Sequence, residues 1–258
     1  MRWSQPFGFF VAHVVYSLPK DTSSANCSAG APCYQTSLAL GTLTSGLPYD
    51  VFAYSNAGVP TLELLAWTSG TARATSVILQ DGVYVKSGAT TRRYLGTFYT
   101  TATTTEDSAL NRFVWNAQNR VSRKLYRTES TASWTYTSTT CRSANANSAN
   151  KVQLVVGLAI DRLSLMVNVF GQANAVADGG KAGIGRNSTS INSADTWAAP
   201  YSGSISAVGG PAVATLAEIP AVGYSYYAWL EGCTNASCVF YAANSIISTG
   251  GITGEIFN

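Results

Sequence analysis

The sequence has little charge. Asp, Glu, Lys and Arg make up 11% of its 258 residues, against about 25% in an average soluble domain. Its polarity comes from Ser, Thr, Asn and Gly, which suit strands, rigid loops and interfaces better than helices laced with ion pairs. It has one histidine, His13, set in an apolar run. That excludes His-rich metal sites and argues against a Ser-His-Asp triad, which needs a histidine oriented by an acid; His13 reads as a packed residue. No run approaches the ~18–20 apolar residues of a membrane-spanning helix. GxSxG, P-loop, GxGxxG, HExxH and EF-hand patterns are missing, and Gly183-Ile184-Gly185, without a third glycine, reads as a turn.

What is present points to β-structure. The chain is 46% hydrophobic, with 14 Tyr, 9 Phe and 6 Trp, which excludes disorder. Periodic helical faces are nearly absent, while strand-length runs recur at short spacing. Examples are Tyr49–Tyr54 and Thr61–Trp67 around Asn56-Ala57-Gly58, and Thr75–Leu79 and Val83-Tyr84-Val85 around Asp81-Gly82. Val152–Phe170 is too long for one strand and should break at Gly157 or Asp161-Arg162. The expected fold is an all-β, antiparallel, jelly-roll-like β-sandwich of two packed β-domains. Thr-rich Thr100–Asp107 is the best linker. It separates a small sandwich at 35–105 from a larger one at 106–258, with an N-terminal attachment arm at 1–34.

Charge is uneven, +5 over residues 1–150 and −2 over the rest, and five cations fall between Arg112 and Arg127. That cluster could line a phosphate groove, but a nucleic-acid binder is usually far more basic overall. A polar strand pair or a charged subunit contact is the better reading. Glu106-Asp107 is the only adjacent acid pair. On a strand its side chains point to opposite faces, so it does not make a glycosidase carboxylate pair. Acids brought together by the fold, such as Asp161 and Glu231, stay open at this point.

Of five cysteines, Cys233 and Cys238 bracket a four-residue polar loop between strand-like segments, a geometry within disulfide reach. Cys27 and Cys33 form a second local pair, and neither pair has zinc-ribbon spacing. Disulfides are expected at both, with Cys141 left as a buried thiol. The N-terminus has the outline of a signal peptide, with Arg2, apolar Phe7–Leu18 and Ser23-Ser24-Ala25. Pro6 and His13 interrupt it, which favours a strand or docking arm. The aromatic ladder Tyr224, Tyr226, Tyr227 and Trp229 is the most suggestive contact feature, with core filling as its bland counterpart. Alternation sends Tyr224 and Tyr226 one way, Tyr227 and Trp229 the other.

Several segments carry a resemblance: TSLALGTLTSGLPYDVFAY (36–54), TLELLAWTSGTARAT (61–75), LQDGVYVKSGATTRRYLGTF (79–98), TEDS (105–108), RFVWNAQNRVSRKL (112–125), SWTYTSTTCRSAN (133–145), GYSYYAWLEG (223–232) and GITGEIFN (251–258). In this order they resemble the β-rich tail-fibre or virion structural proteins of tailed phages, over about residues 35–258. The resemblance implies a non-enzymatic virion component in a receptor-facing or decorating position, and carries no catalytic residue over. The expectation is therefore a homotrimeric fibre, spike or capsid decoration, joined to other virion proteins through residues 1–34 and able to touch a host-surface glycan. It needs no cofactor or metal and has no nucleic-acid or membrane partner. The alternative is a secreted lectin-like carbohydrate-binding module.

Overall fold

The computed structural model describes residues 9–10, 13–17, 35–174, 177–198, 208–245 and 248–257. Strands β1 (Phe9–Phe10), β2 (His13–Ser17) and β3 (Gln35–Ala39) form a three-stranded sheet. A six-stranded sheet runs Val59–Ala66 (β5), Pro48–Asn56 (β4), Ala89–Tyr99 (β8), Val83–Lys86 (β7), Val77–Gln80 (β6), with Val114–Asn116 (β10) also paired to β8. Of the expected arm at 1–34, only β1 and β2 are described. Cys27 and Cys33 lie outside the described residues.

The larger body is a sandwich. Its five-stranded sheet centres on Gly223–Cys233 (β19), flanked by Arg142–Ser143 (β13) and Lys151–Val156 (β14) on one side and Gly180–Arg186 (β16) on the other. Asn111–Arg112 (β9) joins β14 in parallel, the exception among antiparallel pairs. The seven-stranded sheet runs Ser122–Thr128 (β11), Gly251–Phe257 (β23), Leu163–Ala173 (β15), Gly209–Glu218 (β18), Thr196–Ala198 (β17). Cys238–Tyr241 (β20) continues beside β15 where β23 ends, and carries Ser133–Tyr136 (β12) on its far side. A two-stranded ribbon, Ala243–Ser245 (β21) with Ser248–Thr249 (β22), completes the list. The only helical element among the described residues is a 3-10 turn at Ala144–Ala146.

Alternation explains the core. On β15, Leu163, Leu165, Val167 and Val169 are buried while Ser164, Met166, Asn168 and Phe170 face out. The inward row meets Val152, Leu154, Tyr227, Trp229 and Ile184 of the opposite sheet. The expected break in Val152–Phe170 falls between Val156 and Leu163. Gly183-Ile184-Gly185 is not a turn: it lies within β16, with Ile184 fully buried. Its glycines are close-approach positions, for a Cβ at Gly183 would sit 2.8 Å from Asn192 Oδ1.

The six-stranded sheet has one face covered by Leu38, Leu40 and Leu43; on the other, its own Phe52, Tyr94 and Trp115 pack with Val155 of the sandwich. β10, from beyond the expected boundary at 105, belongs to this sheet, and Thr100 of the expected linker is buried. A buried polar cluster ties the sheet to the sandwich. Arg73 Nε donates to Asp50 Oδ2 at 2.8 Å, and its NH2 donates to Tyr94 Oη at 3.2 Å and to the Gly157 carbonyl at 2.5 Å. Thr97 donates to Asp50 Oδ1 at 2.6 Å, so Tyr94 must be the donor to Thr97 at 2.5 Å. The guanidinium lies 4.5 Å from the Trp67 ring centroid. Gly157 is required here, because a methyl would overlap the Tyr94 hydroxyl and the Trp115 ring.

Glu129 organises the turn region before β14. Oε1 accepts from the Thr131 amide and hydroxyl, each at 3.0 Å, and Oε2 from Asn150 at 2.8 Å and Asn147 at 3.3 Å. Burial alone would raise this carboxyl, but the Asn150, Thr131 and Asn147 donors outweigh it and bring the pKa to about 2.

Two outcomes follow. Asp50→Ala leaves the Arg73 charge without its partner and should lower unfolding free energy by roughly 3–5 kcal/mol, read by urea denaturation; an unchanged midpoint contradicts the bracing role. Glu129 binds its proton less readily folded than unfolded. Its contribution is complete above pH 4.5 and is lost as pH falls toward about 2. Glu129→Gln should flatten the stability–pH curve across that window, measured by denaturation at stepped pH.

Candidate functional site

The aromatic ladder does not form one contact surface. Tyr227 and Trp229 are fully buried in the sandwich core, which removes them as contact aromatics. The reason is position: the Tyr227/Trp229 phase of β19 faces the seven-stranded sheet and packs with the inward row of β15. Tyr227 Oη donates to Glu218 Oε1 at 2.6 Å, and burial followed by this bond pushes its pKa up. Tyr224 sits at the joint with the six-stranded sheet, stacked on Tyr99 at 4.5 Å and donating to Gln153 Oε1 at 2.5 Å. Burial, then Tyr99 and Tyr226, push its pKa up to about 12. Tyr226 is half-buried beside Lys151, whose Nζ is 5.1 Å from the ring centroid.

The basic cluster is used within the fold. Arg112 and Arg123 both pair with Asp107, at 3.2 and 3.4 Å, and Arg120 pairs with Asp161 at 2.8 Å. Arg127 donates to Asn150 Oδ1 at 3.3 Å, and Lys124 lies 4.4 Å from the Tyr126 ring centroid. Arg112 also donates to the Lys124 carbonyl at 2.7 Å, closing the β11 edge. Glu106 accepts from Asn111. Asp161 and Glu231 take separate partners: Glu231 accepts from Trp134 Nε1 and from Arg142 Nε, the latter at 2.8 Å. Burial raises its pKa despite both. Among the described residues, no three His, Cys, Asp or Glu side chains are grouped to hold a metal.

Cys233 and Cys238 form the expected disulfide between β19 and β20, with Cα atoms 5.7 Å apart. The enclosed loop has a second fastening. The buried Asp178 carboxylate accepts from the amides of Gly179, Asn235 and Ala236 at 2.8, 2.9 and 2.7 Å, from the Ser237 amide, and from Thr234 Oγ1 at 3.0 Å. Burial alone would raise its pKa; these donors lower it. Cys141 is free and half-buried, its thiol pushed up by burial.

The outward face of the seven-stranded sheet is the candidate contact surface. Register places Lys124, Glu255, Ser164 and Ala217 in one cross-strand row, and Tyr126, Thr253, Met166 and Thr215 in the next. A third row holds Thr128, Gly251, Asn168 and Val213, and a fourth Tyr241, Phe170 and Pro211. Tyr126, Met166 and Phe170 are 39%, 40% and 41% exposed. Two open grooves mark the face. One, about 550 Å³, lies over Thr253 and Gly254 between Lys124 and Met166; the other, about 340 Å³, is lined by Asn168, Phe170, Pro211 and Tyr241.

Phe170 is large and apolar on the polar phase of β15, and Met166 shares that phase. That mismatch with alternation is the sequence signal that could have located this face. Neither a scan against protein-family models nor a search of curated proteins finds a match to the chain.

The double fastening of the 234–237 loop predicts non-additive behaviour. Reduction should lower Tm only slightly in the wild type, because a five-residue separation constrains less entropy than the ~3 kcal/mol of a 15-residue loop. In Asp178→Ala the same reduction should cost distinctly more. Equal shifts in calorimetry would show the two fastenings to be independent.

Proposed function

We propose that the chain is a non-enzymatic structural protein of a tailed-phage particle, in a fibre, spike or capsid decoration. Homotrimeric assembly and attachment through residues 1–34 belong to the same proposal. The observation that carries it is how the ionisable groups are used. Asp81 aside, every described carboxylate is engaged by a cation, amide, hydroxyl or indole of the fold. Such groups brace strands and loops; of the residues lining the two open grooves only Glu255 is a carboxylate, and it accepts from the Ser122 hydroxyl with no second acid beside it to form an acid–base pair. The resemblance to phage virion proteins supports the same reading. Its most specific block, residues 79–97, forms most of the β6-β7-β8 meander, in which Lys86 and Arg92 both bind Glu63.

The test is mass spectrometry of particles purified from the source that encodes the chain. Its peptides are expected at the copy number of a structural protein. Particles devoid of it, with the chain free in the medium, overturn the proposal in favour of a secreted carbohydrate-binding module.

A further inference from the structure

We infer that the outward face of the seven-stranded sheet binds a linear, uncharged polysaccharide, laid across β15 through both grooves. This rests on the reading of the chain as a non-enzymatic contact protein, and it names the ligand class and the residues.

Charge narrows the ligand first. The described outward residues of β11, β23, β15, β18 and β20 include one cation, Lys124, and one anion, Glu255. They stand opposite each other in register, and each is already engaged: Lys124 over the Tyr126 ring, Glu255 by the Ser122 hydroxyl. The face therefore has no net charge to attract a polyanion or an acidic protein. An uncharged ligand matches it without desolvating an unpaired ion.

Hydrogen-bonding capacity narrows it further. Within the fold almost every carboxylate is engaged, yet the side chains of Ser164, Asn168 and Thr253 make no hydrogen bond to other described residues. They sit at the grooves, offering hydroxyl and amide donors and acceptors beside apolar surface. A polyhydroxylated ring needs both.

The aromatics supply the stacking. Phe170 and Tyr241 meet edge-on, with centroids 5.8 Å apart and planes at 71°. The Phe170 ring lies over Gly209, where a Cβ would stand 2.6 Å from Cε1. Glycine thus lets the ring rest on the backbone beside the second groove. The C–H face of a pyranose suits the negative face of such a ring.

Shape separates a thin chain from a second copy of this protein. Two grooved faces brought together leave voids, and voids forfeit contact energy. A polysaccharide strand fills them. The groove floors fall near residues 165 and 169 of β15, about 13 Å apart at ~3.3 Å per residue. A monosaccharide can occupy one groove, whereas a chain occupies both and gains from the linkage.

The experiment is native affinity electrophoresis of the full chain through gels cast with dextran, mannan or galactan, and with polygalacturonate as the anionic comparison. Retardation is expected in at least one neutral gel and not in polygalacturonate. Longer neutral oligosaccharides should compete better than monosaccharides. Phe170→Ser and Tyr126→Ser should each weaken retardation about tenfold, with unchanged melting curves. Leu79→Ser, exposed on the other sheet, should leave it unchanged.

No retardation by any neutral gel, equal retardation of the variants, or preference for polygalacturonate overturns the inference. So does a Phe170→Ser variant that dissociates an oligomer without changing glycan retention, which would assign the face to a second copy. Shortening of the bound polysaccharide would instead overturn the non-enzymatic reading and leave the binding site standing. A chain that is present in particles but not retarded overturns only the site.

Discussion

One guanidinium joins the two halves of this molecule. Arg73 satisfies a carboxylate from β4, a phenol from β8 and a carbonyl from the turn between β14 and β15. Thr97 also links the carboxylate and the phenol, so removing the cation breaks one connected buried network and leaves the Asp50 charge without its counter-ion. The contact also fixes spacing, because Gly157 can approach only without a side chain. The aromatic cluster of Phe52, Tyr94, Trp115 and Val155 then closes around it. The apolar face that the six-stranded sheet presents on that side is thus covered by the sandwich, through Val155.

Scarcity of charge has a structural counterpart. With so few ionisable groups, the fold places them where a backbone or loop needs several partners at once. Asp178 gathers successive amides of the loop between β19 and β20, and Glu129 gathers the turns before β14. Glu231 spans Trp134 and Arg142. These multidentate acceptors do for irregular segments what ladders do for strands. The surface is left to hydroxyls, amides and rings.

Much of the fold was legible in local pattern. Strand-length runs located β4, β5, β6 and β7, the over-long Val152–Phe170 run held β14 and β15, and Asp81-Gly82 marked its hairpin, both residues having positive φ. The 233/238 disulfide followed from strand flanks around a polar loop. β16 was not legible, because Gly180–Arg186 has glycines where a strand normally carries β-branched residues; their value is steric and appears only beside Asn192, Ser188 and Leu230. The ladder misled for a related reason. Its alternation was right, but whether a phase faces solvent depends on the opposing sheet, which no local pattern contains. The outward face was missed because it is assembled from β11, β23, β15, β18 and β20, segments far apart in the chain.

The placement of β15 has a mechanical side. On one edge it pairs with β18 along most of its length; on the other, β23 takes the first half and β20 the second. Tension along this strand loads all three ladders in shear, so their hydrogen bonds share the load and do not unzip one at a time. β20 is in turn stitched to β19 by the disulfide, which carries part of that load covalently into the facing sheet. The sandwich thus contains a short tensile member, anchored on both sides and in both layers.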